Sequence, residues 1–211
     1  MPALPLLLSK VVVVGTAFLL GAFFVHWLAD HPLIWQGPQV APDAVQTALR
    51  YYSHFYHAPP FYAATLTAVA AATILATVTK LALSPVDGLL FDGATLMLLL
   101  SAVTVYTSNV LAALRYLPLD LLPPASFFPA PIDLHRAAGD IGEIRLVEAL
   151  QSVAASHLII AVSLTGVLAL QGAQGYAERS SSAGKPVAAA PPASAPPRAE
   201  RQDSQTALPE P

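Results

Sequence analysis

Four stretches of the chain contain no Asp, Glu, Lys or Arg: Val11 to Ala29, Phe61 to Thr79, Gly93 to Leu114 and Ala149 to Leu170. At about 1.5 Å per residue such runs reach roughly 28 to 33 Å, the thickness of a bilayer's hydrocarbon. No period-2 alternation of apolar and polar residues occurs, which argues against a barrel, and in lipid the remaining way to satisfy the backbone is a helix. The pattern therefore predicts an all-α, polytopic membrane protein with four transmembrane helices. Lys10, Lys80, Asp92 and Arg115 stand at the span edges, and Trp27 and Trp35 lie near the end of the first, where indole rings favour the interface. The first run exceeds a leader's apolar core, follows a single lysine and precedes no convincing Ala-x-Ala site, so it reads as a span.

Between the first two spans the polar pattern becomes helical. Asp43, with Gln46 three residues on, reads as a capping box opening a helix, and Pro59 and Pro60 end it. Val45, Leu49, Tyr52 and Tyr56, with Phe55 beside them, fall on one face. Rings with an apolar body and a polar tip suit the wet edge of a bilayer and equally suit a binding surface. The helix is either an interfacial anchor for the second span or a contact surface for a partner. A second D-x-x-E signal, Asp140 and Glu143, leads into the fourth span.

Composition sharpens the class. The chain is 55% hydrophobic and 11% charged, with mean hydropathy +0.58, and its net charge of −3 leaves no basic footprint for nucleic acid. Cysteine is absent, so disulfide-pinned loops, thiol catalysis and cysteine metal sites are closed to it. From Ser180 onward seven prolines and no aromatic residue predict a disordered tail. The organisation is then a four-helix membrane domain over 1–176 and a tail over 177–211. Six Lys or Arg on the side of the termini against four opposite favour cytosolic termini.

Candidate chemistry inside the spans is sparse. His157 is the one deep titratable side chain, read as hydrogen-bonded to a neighbouring helix. Asn109, the only asparagine in the chain, is either glue within the bundle or a polar handle for another protein's helix. Ala64, Ala68, Ala72 and Ala76, and Ala17 with Gly21, are small residues at four-residue steps, suited to internal helix packing or to docking a foreign helix. His26, His31, His54 and His57 form an imaginable zinc set, but no carboxylate or cysteine completes a known spacing, so neither metal nor cofactor is expected. Asp140, Glu143 and Glu148 are explained by capping and solvation more simply than by hydrolysis.

Taken in order, "FLLGAFF" at 18–24, "ALRYY" at 48–52, "PP" at 59 and 60, Lys80, "TSN" at 107–109 and a polar tail resemble a family. It is the fungal endoplasmic-reticulum membrane chaperones of amino acid permeases, the ER membrane protein SH3 family, and the likeness covers roughly residues 11 to 176. The resemblance implies cytosolic termini, residence in the endoplasmic reticulum, and transient contact with polytopic amino acid permeases that helps them fold and leave. It also implies a tail close to the vesicle coat, although here the tail is alanine- and proline-rich with one lysine. Leu49, Arg50, Tyr51, Tyr52 and Asn109, with Tyr56 from the aromatic face, become the expected client-facing set. The rival classes are a small channel or transporter, and an interfacial lipid-modifying enzyme using His26, Asp30 and His31.

Overall fold

The computed structural model describes residues 3–35, 40–83, 88–119 and 132–183, with side chains to 180. The fourth spanning helix runs on to Ala183, so residues 177–183 of the expected tail are helical, a correction to the boundary at 176; the rest of the tail, expected to be disordered, and the proline-rich stretch 120–131 lie outside the described residues. Described elements are helical throughout: α1 (Ala3–Trp35), α2 (Pro42–Tyr56), α3 (Pro60–Leu83), α4 (Leu89–Val105), α5 (Leu111–Leu114), α6 (Leu134–Ala138) and α7 (Glu143–Ala183). A π-helical turn, Tyr106–Val110, joins α4 to α5. Four segments are long and apolar enough to cross a membrane: Leu4–Trp35, Pro60–Leu83, Leu89–Leu114 and Glu143–Ser180. Each outruns its charge-free stretch, because a helix continues past the hydrocarbon wherever nothing stops its backbone ladder.

The spanning helices form a ring in which α1 packs on α3, α3 on α4, α4 on α7 and α7 on α1. α2 is amphipathic and lies against α1 and α7, burying Ala44, Val45, Ala48, Leu49, Tyr52 and Ser53. Its start differs from the capping-box expectation. Ala41 is the N-cap, without a side-chain hydrogen bond, and Pro42 occupies the first turn. Proline's fixed φ and missing N–H suit that position, so Asp43 falls inside the helix, where its charge still complements the dipole. The second signal is likewise displaced. Asp140 sits in a 3-10 turn, Gly139–Ile141, and α7 begins only after Gly142, at φ 77, a conformation that favours glycine. The side-chain cap in this region is Asp133, which accepts from the Arg136 amide at 3.2 Å.

Small residues serve packing at places other than those expected. Ala17, Gly21, Ala64, Ala68 and Ala72 are exposed on the ring's outer surface, and only Ala76 of the series is buried. A Cβ at Gly21 would meet nothing within 4 Å. The close approach of α1 to α3 is at Gly15, where a Cβ would run into Thr73 Oγ1, and that of α7 to α4 is at Gly166, where it would meet Leu98 Cδ1 at 2.9 Å. A spacing of four residues specifies a stripe but not which way it faces. Gly15→Ala is therefore expected to destabilise the detergent-solubilised protein by about 1 to 3 kcal/mol through overpacking. Gly21→Ala should stay within about 0.5 kcal/mol of wild type, as surface changes do; thermal unfolding of the two variants checks the contrast.

Candidate functional site

At the end of the ring opposite the termini, α2 is clasped by polar side chains. Tyr52 donates its hydroxyl to Asp30 Oδ1, and His157 Nδ1 lies 2.8 Å from Asp30 Oδ2. Tyr51 Oη is 2.9 Å from His26 Nδ1, and the His26 ring stacks on His157 with centroids 4.6 Å apart. Phe55 closes the cluster between His26 and Tyr62. Asp30, Tyr52 and His157 are all buried, so each bond is made in a medium that offers no alternative partner. Burial, then the neighbouring Asp30 carboxylate, pushes the Tyr52 phenol well above its ordinary value. Burial first, and Tyr62 next, raises Tyr51 in the same direction.

The end that carries the termini holds a second network. Lys80 Nζ donates to Gln171 Oε1 at 2.9 Å and to Gln174 Oε1 at 2.7 Å, and pairs with Asp92 Oδ1 at 2.8 Å. Three acceptors thus meet the three donors of one ammonium. Gln171 passes the network on to Thr95 Oγ1 at 3.1 Å. Lys80 and Asp92, read in the sequence as marks of the membrane edge, are instead a buried pair tying α3 and α4 to α7. The signal available was the Gln171 and Gln174 pair, three apart on one face just past the charge-free run of α7.

A third polar group points outward. Ser101, Thr104, Thr107, Ser108 and Asn109 are exposed on the spanning α4 and its π turn. Three of the four hydroxyls return to their own helix: Thr104 donates to the Leu100 carbonyl at 2.8 Å, Thr107 to Val103 at 2.9 Å and Ser108 to Thr104 at 2.7 Å. Asn109 Oδ1 takes a contact of 3.0 Å from Ser108 Oγ, while its Nδ2 donors meet no partner among the described residues. The π turn widens the helix where this amide is presented, a local geometry often found at functional positions.

The expected client-facing residues divide between these places. Leu49 and Tyr52 are buried beneath α2, Arg50 and Tyr51 are half-buried, Tyr56 is exposed, and Asn109 lies on the separate α4 surface. His26, Asp30 and His31 do not converge, since His31 is exposed and packs on Trp27 while Asp30 faces Tyr52 and His157. The four-imidazole set is also dispersed, with His57 bonded to the Ser53 carbonyl and His54 exposed. Among the described residues no group of three or more metal-binding side chains is placed to hold an ion. Asp140, Glu143 and Glu148 are solvent-exposed.

Lys80→Met, which strands Asp92, should cost about 3 to 5 kcal/mol, and the double variant Lys80→Met with Asp92→Leu should recover most of it; thermal unfolding of single and double variants decides this. The raised Tyr52 phenol stays protonated in the fold while an unfolded tyrosine ionises near pH 10. Its contribution is therefore full below about pH 10 and is lost as pH rises above it, and Tyr52→Phe should flatten that alkaline slope in a pH series of unfolding midpoints.

The sequence profile of the family described as ER membrane protein SH3 matches residues 6–207, nearly the whole chain. Comparisons with curated proteins and with solved structures returned no match. The family's chaperone designation fits a ring of spanning helices whose ionisable groups are consumed in holding the bundle together. The chain belongs to the ER membrane protein SH3 family and is a multi-pass chaperone of the endoplasmic-reticulum membrane.

Proposed function

We infer that this chaperone packages polytopic amino acid permeases, shielding their helices during folding and releasing them for export, by transient helix–helix contact and without catalysis. The observation that carries the reading is the outward polar face of α4, from Ser101 to Asn109, on a helix apolar enough to span a membrane. A polar group facing lipid costs free energy unless it is bonded. The Thr104, Thr107 and Ser108 hydroxyls meet that cost within their own helix and so add little attraction of their own. The Asn109 amide keeps two N–H groups for a visiting helix. An incomplete permease exposes polar and small-residue faces that would otherwise mispair, and bonds of roughly 0.6 to 2 kcal/mol are strong enough to hold such a face and weak enough to let it go.

The outward alanines of α3, Ala64, Ala68 and Ala72, supply a smooth wall on which a client helix can lie close. Tyr56 projects from α2 at the opposite-end boundary, while Leu49 and Tyr52 act by fixing α2 in place. With the termini in the cytosol, α2 lies on the lumenal side, and the tail beyond 183 is left to meet the vesicle coat.

Asn109→Leu tests the reading. It should leave the chaperone's abundance unchanged while lowering client occupancy about 3- to 30-fold, the range set by one interhelical bond. Co-purification with a newly made permease and delivery of that permease to the cell surface are the measurements. Unchanged occupancy and delivery would remove Asn109 from the contact.

A further inference from the structure

A lateral cleft of about 270 Å³ runs between α1 and α7. Phe23, Phe24 and Trp27 form one wall, Leu158 and Ala161 the other, and His157 with Asp30 closes the inner end. Along α1 the lining extends from Leu20 to Asp30, roughly 15 Å of helix. Both walls belong to membrane-spanning helices, and Phe24 is 69% exposed on the ring's outer surface. Whatever enters comes from the bilayer.

The inner end is not wholly apolar. His157 is only 5% exposed, and its Nδ1 is taken by Asp30. A carboxylate only accepts, so the Nδ1 proton is directed at Asp30, and no side chain among the described residues bonds Nε2. Both oxygens of Asp30 are engaged, one by Tyr52 and one by His157. The cleft therefore offers a visitor a single ring nitrogen for hydrogen bonding at the end of an aromatic wall.

We propose that this cleft is a binding site for a membrane lipid whose headgroup is a single hydroxyl, a group that can both donate and accept, with the hydroxyl bonded to His157 Nε2 and the apolar body lying along Phe23, Phe24 and Trp27. The charge of the site selects against phospholipids. No lysine or arginine lines it, and the Asp30 carboxylate at its inner end repels phosphate. The volume falls below that of sites that enclose a drug-sized ligand, so the cleft grips one end of the molecule and leaves the rest in the bilayer. A sterol and a diacylglycerol share this chemistry. The site uses none of the α4 face and is independent of the client contact inferred above.

The full-length protein in nanodiscs, exposed separately to photoactivatable sterol, diacylglycerol and phosphatidylcholine, tests the proposal. Expected is saturable labelling by the sterol or the diacylglycerol, mapped to residues 20–30 and 157–161, displaced by the matching unlabelled lipid. The two probes identify which hydroxyl lipid is bound. Ala161→Trp, which fills the cleft, should reduce labelling by about tenfold, and Leu158→Phe provides a second obstruction should the first variant not fold. Equal labelling by phosphatidylcholine, labelling unaffected by either obstruction, or no saturable labelling of wild type would overturn the site. So would a photoreactive residue at Leu158 that captures a permease segment rather than lipid. Permease delivery measured in the same variants separates a failure of this site from a failure of the chaperone reading.

Discussion

Lipid supplies no hydrogen bonds, and nearly every polar side chain in this membrane domain is arranged around that fact. Lys80 reaches three acceptors on two helices. Asp30 is held between a tyrosine from α2 and a histidine from α7. Thr73 and Thr77, in the interior, bond the carbonyls of Val69 and Thr73 on their own helix at 2.8 and 2.9 Å. The two side-chain networks sit at opposite ends of the ring, and each joins helices far apart in sequence. Between them, among the described residues, no side-chain hydrogen bond passes from one spanning helix to another, which leaves the middle of the bundle to close packing.

This division explains how a protein poor in ionisable residues can still be built around charge. A buried Lys–Asp pair is a weak source of net stability against a well-packed apolar replacement, but it punishes any arrangement that leaves one partner alone. Such pairs fix which helices meet. The α4 face differs because one amide presents N–H groups that meet no partner among the described residues, on a turn of the span that departs from α-helical geometry. The client contact proposed above would use that asymmetry: a bundle held by its own bonds, and a surface with something unfinished.

Much of the architecture was legible in the sequence because lipid imposes one crude rule on length and charge. The four spans follow from that rule alone, and the helix before the second span follows from its single apolar face. What stayed hidden depends on direction and on partners distant in the chain. Ala17 and Gly21 have the right spacing for packing, yet Gly15 is where α3 arrives. Lys80 and Asp92 look like edge markers until Gln171 and Gln174, some ninety residues later, are brought beside Lys80. Pro42 outcompeted Asp43 for the helix start because a fixed φ acts locally, whereas a carboxylate needs an amide in reach. Leu49 and Tyr52 belong to a motif that suggested contact with clients, and they turn inward because α2 must cover the ends of α1 and α7.

The central claim, that the outward polar turn of α4 touches client helices, is most directly tested by placing a photoreactive residue at Thr107 in native endoplasmic-reticulum membranes and following a pulse of newly made permease. The account predicts an adduct with the permease that appears early and disappears during the chase. Adducts with lipid alone at Thr107, while a photoreactive residue at another outward position such as Phe18 of α1 captures the permease, would contradict it.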